Sequence, residues 1–177
     1  MKVLISAFTP FNKMPNNYSS EVLKYINGVD KIILDVVYDE CFEELKKQFN
    51  LDEYDLIIAL GEARSRKVLT LEKRAQNRAS CSLADNLGIL KKEEEIILNG
   101  EEYLYTKLSI EESGIDISND AGKFVCNNMY YHLLASFPEK SLFIHIPDCN
   151  NDEVKYREYA EKIEKLILYL GGTLWNI

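Results

Sequence analysis

The chain has little of what marks several large classes of protein. It has two histidines and four cysteines, with no C-x-x-C pair and no Cys/His spacing that suits a metal site. The net charge is −8 without a basic cluster, which argues against nucleic acid or an anionic membrane as partner. We find no bilayer-spanning run, signal peptide, internal repeat or low-complexity segment. One reduced, cytoplasmic domain over residues 1–177 is therefore expected.

The first third of the chain alternates apolar, β-branched runs with helical patterns. The predicted strands are residues 2–7, 32–39 and 55–61. The predicted helices between them are residues 19–25 and 40–49. This order predicts an α/β fold, a three-layer α/β/α sandwich around a mainly parallel twisted sheet. A last helix is predicted to begin after the cap Asp152 and to end at Gly171-Gly172.

Residues 118–131, SNDAGKFVCNNMYY, predict a strand end, a tight turn and the first turns of a helix. Asn119 and Asp120 are predicted to cap this helix, and Gly122 to relieve the backbone at the turn. Cys126 then falls in the opening turns, where unpaired N–H groups and the helix dipole favour the reactive thiolate. The alternative is that Cys126 is a small buried hydrophobic residue, as most lone cysteines are.

A nucleophilic thiol needs a base, and His145 is the better placed of the two histidines. His132 lies six residues beyond Cys126 on the same helix, which is about 600° of rotation and roughly 9 Å of rise, so a surface or structural role is expected. His145 lies in the apolar run SLFIHIP, a predicted strand, near the carboxyl end where sites of open α/β sheets gather. A hydrogen-bonded core histidine is the alternative.

Five segments occur in an order that resembles one known family. They are MKVLISAFTPF, DLIIALGEARSR, VLTLEKRAQN, SNDAGKFVCNNMYY and LFIHIP. They are similar to segments of the pyroglutamyl-peptidase I (pyrrolidone-carboxylate peptidase) family of cysteine peptidases, of which the chain resembles a divergent member. The resemblance implies Cys126 as nucleophile, His145 as base and Glu72 as the acid that orients the imidazole. By its strand pattern alone, Glu72 would be expected on a solvated face.

The same resemblance implies a substrate pocket. Phe8 and Phe11 match an aromatic pair that sandwiches the flat pyroglutamyl ring in the family. Asn17 aligns with an N-P-S segment of the family, and Arg66 with the arginine of its G-Q-A-G-G-R segment.

Glu62 stands where the family has glutamine, and this changes the chemistry because an ionised carboxylate only accepts hydrogen bonds. Two outcomes follow. Glu62 pairs with Arg64 or Arg66 and turns away from the pocket, or it faces inward and prefers a substrate that carries an ammonium group.

Three further positions depart from the family. Its Gly-Gly after the second phenylalanine is Asn12-Lys13 here, and Ser82 replaces an arginine. Residues 108–117 leave room for one or two helical turns where the family has a full helix.

The resemblance implies hydrolysis of an N-terminal pyroglutamyl residue through a thioester acyl-enzyme, with no metal or cofactor. The expected substrate is a peptide or small amide with a blocked N-terminus, and a homo-oligomer is left open. Two alternatives remain: a related cysteine hydrolase with altered N-terminal specificity, and a non-catalytic binding protein with a degraded pocket.

Overall fold

A computed structural model describes residues 1–174 of the chain. Its strands are β1 (Val3–Phe8), β2 (Asp30–Leu34), β3 (Leu56–Glu62), β4 (Thr70–Glu72), β5 (Arg74–Gln76), β6 (Tyr103–Tyr105), β7 (Asp116–Ser118) and β8 (Ser141–Ile146). Its α-helices are α1 (Tyr18–Leu23), α2 (Glu40–Gln48), α3 (Val125–Ser136) and α4 (Glu153–Leu174). Within the described residues, no helix is long and apolar enough to cross a membrane.

The main sheet has six strands in the order β2-β1-β3-β8-β4-β7. All neighbouring pairs are parallel except β4 and β8, which run antiparallel. The three central strands β1, β3 and β8 are buried almost throughout, as expected for strands covered on both faces. Strands β5 and β6 form a separate antiparallel ribbon.

Helices cover both faces of this sheet and divide the core in two. One apolar cluster joins the sheet to α1 and α4, and the other joins it to α2 and α3. The predicted α/β fold with three layers and a mainly parallel sheet is confirmed. The described part of α4 buries the predicted stripe of Tyr159, Ile163, Leu166, Ile167 and Leu170.

Several predicted boundaries were wrong. Strand β2 ends at Leu34, because the chain then leaves the sheet and turns through Asp39, whose φ is 60°. Residues 108–115 form no helix. Helix α4 continues through Gly171 to Leu174, because helical backbone tolerates glycine and Gly171 packs closely against the Met1 side chain. The predicted cap Asp152 accepts a hydrogen bond from the N–H of Val154 at 2.9 Å.

The start of α3 also differs from the prediction. The N-cap position is Phe124, and Asn119 and Asp120 lie too far upstream to cap the helix. Instead, the Asp120 carboxylate accepts from the N–H of Gly122 at 3.0 Å, which closes a local turn. Cys126 is nevertheless the second residue of the helix, as expected.

Asn12 and Lys13, which replace a glycine pair of the family, have φ values of 50° and 59°. Both lie in the left-handed region that glycine adopts without strain and that asparagine tolerates better than lysine does. The backbone after β1 therefore takes a glycine-type turn without a glycine.

Candidate active site

A pocket of about 130 Å³ lies where the carboxyl ends of β1, β3 and β8 meet the start of α3. Its lining residues are Phe8, Phe11, Asn17, Val36, Glu62, Ala121, Gly122, Lys123, Phe124, Val125, Cys126 and His145. Pockets that hold drug-sized ligands have volumes of about 300–1,000 Å³. The pocket therefore suits one small ring with a mostly apolar surface.

Strand register brings Cys126 next to His145. Gly61 of β3 pairs with His145 of β8. A Cβ atom built on Gly61 would lie 2.7 Å from the Cys126 Sγ, so the thiol sits directly on this glycine backbone. Within the part of the chain that the structure describes, the thiol and the imidazole share the pocket without a hydrogen bond between them. Such contacts are often loose in substrate-free enzymes.

Glu72 is fully buried and lies behind the imidazole. Its Oε1 is 2.7 Å from Nδ1 of His145, and 2.5 Å from a terminal nitrogen of Arg66. Because a carboxylate only accepts, the imidazole hydrogen lies on Nδ1, and Nε2 is left to accept a proton. The second oxygen, Oε2, is buried and has no hydrogen-bond partner among the described residues.

Strand direction explains the burial of Glu72. Strand β4 runs antiparallel to β8, with Thr70 opposite His145 and Glu72 opposite Phe143. The three residues Glu72, Phe143 and His145 thus share the sheet face that α3 covers, since side chains alternate between faces. The Tyr130 hydroxyl of α3 also donates to the Glu72 carbonyl at 2.7 Å. The solvated face expected from the strand pattern alone is wrong, because helix packing covers this face.

The surroundings of Cys126 favour the neutral thiol in the resting structure. Burial, followed by the Glu72 and Glu62 carboxylates, raises its pKa to about 12, while its own backbone N–H and Arg66 act weakly in the opposite direction. The sequence expectation that the helix start favours the thiolate is therefore reversed at rest. Two carboxylates and desolvation outweigh one helix terminus, so the site must remove the thiol proton when substrate is present.

Aromatic rings form the apolar walls of the pocket. Phe8 is buried at the end of β1, and Phe11 packs on Phe124 with ring centroids 5.8 Å apart. Asn17 lines the pocket, but its Oδ1 accepts from the N–H and the hydroxyl of Ser19, and its amide nitrogen donates to a backbone carbonyl. Asn17 thus caps α1 and holds the wall in place.

Glu62 both pairs with Arg64 and lines the pocket, so each of the two expected outcomes holds in part. Its Oε1 is 2.6 Å from Nε of Arg64, and its Oε2 accepts the N–H of Tyr18 at 2.8 Å. The Glu62 side chain is 3% exposed. The pairing compensates the burial of this charge.

Arg66 lies outside the pocket lining and joins two parts of the site. Besides Glu72, it donates to the Ser118 hydroxyl at 3.3 Å and to the Asp120 carbonyl at 2.8 Å. It therefore ties the buried carboxylate to the loop that leads to Cys126. The sequence assigned Arg66 to substrate binding, whereas its contacts are those of a residue that positions Glu72 and this loop.

Two other residues considered in the sequence, His132 and Ser82, lie outside the pocket lining. His132 hydrogen-bonds to Asp39 at 3.0 Å and stacks on Phe42, remote from the pocket lining. Ser82 is exposed in a loop. Among the described residues, no group of three or more His, Cys, Asp or Glu side chains is placed to hold a metal ion.

Sequence reasoning missed six wall residues: Val36, Ala121, Gly122, Lys123, Phe124 and Val125, of which Gly122 was predicted only as a turn residue. Phe124 and Lys123 could have been found from their place just before the nucleophile helix. Val36 carried no such signal, since it enters the pocket only because the chain leaves the sheet after β2.

Comparison with known proteins agrees with this geometry. A family model described as pyroglutamyl peptidase matches residues 1–160. The pyrrolidone-carboxylate peptidase of Thermosipho melanesiensis is 31% identical over 171 residues, covering 85% of this chain and 85% of that protein. The Bacillus subtilis pyrrolidone-carboxylate peptidase is 33% identical over 167 residues, covering 82% of this chain and 78% of that protein.

Solved structures show the same fold. The pyrrolidone carboxyl peptidase of Pyrococcus furiosus superposes with a TM-score of 0.85 at 26% identity, covering 98% of this chain and 100% of that chain. The family match and the 31% and 33% identical relatives together show that the chain belongs to the pyroglutamyl peptidase family of cysteine peptidases.

Proposed function

We propose that the chain removes an N-terminal pyroglutamyl residue from peptides, with Cys126 as nucleophile, His145 as base and Glu72 as the orienting acid. The observation that carries this proposal is the contact of the buried Glu72 carboxylate with both Arg66 and His145, while His145 and the Cys126 thiol line the same ring-sized pocket. The substrate class follows from the relatives, which are named pyrrolidone-carboxylate peptidases.

The reaction proceeds by nucleophilic catalysis. Nε2 of His145 takes the thiol proton as Sγ of Cys126 attacks the carbonyl carbon that joins the pyroglutamyl residue to the next residue. Glu72 stabilises the imidazolium that forms. Backbone N–H groups in the first turn of α3 are the candidate donors to the oxyanion. The imidazolium then protonates the leaving amine, and water hydrolyses the thioester and frees the enzyme.

The high pKa of the Cys126 thiol fits a concerted role for His145. Burial and two carboxylates raise the pKa of the thiol, so a nearby acceptor such as Nε2 of His145 is needed to take its proton. The apolar pocket excludes water when a ring fills it, which strengthens the interactions among these charged groups.

The cellular setting belongs to the same proposal. A nucleophilic thiol works in a reducing compartment, and Cys41, Cys81, Cys126 and Cys149 are all free. We therefore propose a cytoplasmic location and a peptide or small amide with a blocked N-terminus as substrate. The one-domain organisation and any homo-oligomer stay predictions.

The test is turnover of a fluorogenic pyroglutamyl amide, beside alanyl and leucyl amides, by the wild type, Cys126→Ala and the matched control Cys81→Ala. The wild type and the control should cleave only the pyroglutamyl amide, and Cys126→Ala should lose at least about 10³-fold, as expected for a removed nucleophile. Because alkylation needs the thiolate and the resting Cys126 thiol has a pKa raised to about 12, the label must be directed to the pocket: a pyroglutamyl chloromethyl ketone should label Cys126 fastest of the four cysteines, and more slowly in His145→Ala. Full turnover by Cys126→Ala, or equal labelling of all four cysteines, would overturn the assignment.

A further inference from the structure

An ion pair at the pocket joins Glu62, a buried lining residue, to Arg64, which lies outside the described lining. The Glu62 side chain is 3% exposed and Arg64 is 32% exposed. Nε of Arg64 donates to Oε1 of Glu62 at 2.6 Å, and a terminal nitrogen donates to Oε2 at 3.2 Å. These two bonds form a bidentate contact, the strong and directional form of an arginine–carboxylate pair.

Counting hydrogen bonds shows that Glu62 retains an acceptor site. A carboxylate offers about four lone-pair positions. Arg64 takes one on each oxygen, and the N–H of Tyr18 takes a second position on Oε2 at 2.8 Å. One position on Oε1 remains, and Glu62 lines the same pocket as Cys126 and His145. A ring N–H in the pocket can therefore donate to Glu62.

Arg64 is held in place from a second side. Its guanidinium lies over the Tyr18 ring, 4.2 Å from the ring centroid. The hydrogen bonds to Glu62 raise the pKa of Arg64, so the guanidinium stays protonated. Lys123, the cation among the described lining residues, pairs with Glu93 at 3.3 Å instead. Arg64 is thus the group that neutralises Glu62.

We propose that Glu62 accepts the N–H of a lactam ring and that Arg64, as a positioning residue, cancels the carboxylate charge so that the pocket selects a neutral ring over a cationic one. This inference rests on the proposed function. Without Arg64, an uncompensated carboxylate would attract an ammonium group into the pocket.

Two substrates of nearly the same shape distinguish a pocket in which Arg64 cancels the Glu62 charge from one in which the carboxylate is uncompensated. A pyroglutamyl amide presents a neutral lactam, and a prolyl amide presents the same five-membered ring with a secondary ammonium. We would measure kcat and KM for both amides with four proteins: the wild type, Arg64→Gln, Arg64→Lys and Arg157→Gln. Arg157 is the matched control, because it pairs with Glu153 and stacks on Tyr25 at the surface.

The preference for pyroglutamyl over prolyl amide, as a ratio of kcat/KM, should fall at least about tenfold in Arg64→Gln, mainly through KM. Arg64→Lys, which keeps the charge, should recover most of this preference, and Arg157→Gln should match the wild type. An unchanged ratio in Arg64→Gln, or a loss of preference that Arg64→Lys does not recover, would overturn the inference.

A binding measurement separates this inference from the proposed function. The probes are 2-pyrrolidone, a neutral lactam, and pyrrolidine, a cation at neutral pH, each measured by calorimetry. The wild type should prefer 2-pyrrolidone, and Arg64→Gln should shift the preference toward pyrrolidine by a similar factor. If the wild type cleaves neither amide but the binding preference still shifts between the wild type and Arg64→Gln, the proposed function is rejected and the pocket assignment is kept. Equal preferences in both proteins would reject the pocket assignment, whatever the turnover.

Discussion

Replacing Glu72 by glutamine isolates the charge behind His145. In the wild type, both the Nδ1 of His145 and the guanidinium of Arg66 contact Oε1 of Glu72. Both groups donate, so the oxygen of the new amide should take the Oε1 position and its NH₂ the position of Oε2. The imidazole then keeps its hydrogen on Nδ1, and the variant measures the lost charge rather than a changed tautomer.

The size of the effect follows from Coulomb's law. Two unit charges about 4 Å apart attract by about 4 kcal/mol at an effective dielectric constant of about 20. In the variant, the imidazolium of the transition state loses this attraction and still faces the positive charge of Arg66. Since about 1.4 kcal/mol is a factor of ten, kcat/KM should fall about 10³-fold. KM should change little, because Glu72 is not among the residues that line the described pocket.

Steady-state kinetics on a pyroglutamyl amide, with Glu153→Gln as the matched surface control, checks this expectation. Loss of the charge that pairs with Arg66 should also lower the free energy of unfolding by about 1–3 kcal/mol, measured in urea. Because the Glu72 carboxylate raises the pKa of Cys126, the same variant should alkylate at lower pH than the wild type while it turns over more slowly. A loss of less than about tenfold, or a loss in KM alone, would refute the role of Glu72.

Two further variants test packing and pH dependence. Gly61→Ala places a Cβ 2.7 Å from the Cys126 Sγ, so activity should be lost and overpacking should lower the free energy of unfolding in urea by about 1–3 kcal/mol. Gly172→Ala is the control and should be neutral or slightly stabilising, because an added Cβ there lies within 4 Å of none of the described atoms that could clash with it. The hydrogen bond with His132 lowers the pKa of Asp39 in the folded protein. The ionised Asp39 therefore stabilises the fold at pH values above its unfolded-state pKa, and this contribution is lost as the pH falls through its lower folded-state pKa. Asp39→Asn should therefore be less stable than the wild type at neutral pH and equal to it in acid below both pKa values; a difference that persists in acid would contradict this account.

Local pattern predicted much of the fold. The apolar runs of β1 and β3 and the amphipathic helix α2 were visible because periodicity and propensity act over a few residues. Where the chain leaves the sheet after Leu34 could not be read in this way, because Val36 and Tyr38 continue the apolar pattern while they pack under α3. The prediction that Asn119 and Asp120 cap α3 was wrong because contacts distant in sequence shape this loop. Arg74 donates to the Asn119 carbonyl and Arg66 to the Asp120 carbonyl.

For the site, sequence and resemblance together named Cys126, His145 and Glu72, and the structure brings these three residues together. Because α3 follows a strand, its start was expected at the carboxyl edge of the sheet that also carries His145, and this reason was only partly right. Strands β4 and β7 run opposite to β8, so α3 does not follow a strand that ends at the same edge as β8. The loop over 119–124 carries the chain back to the pocket instead.

By itself, the sequence determined the helix-start position of Cys126, the apolar strand that carries His145, and the order of strands and helices that defines the fold class. These features depend on neighbours a few residues away. Only the tertiary structure decided that Glu72 is buried, that Arg66 serves Glu72, and that Arg64 neutralises Glu62. Burial and charge pairing depend on residues that are distant in sequence and on the direction of each strand, and together they reversed the pKa shift expected for the Cys126 thiol.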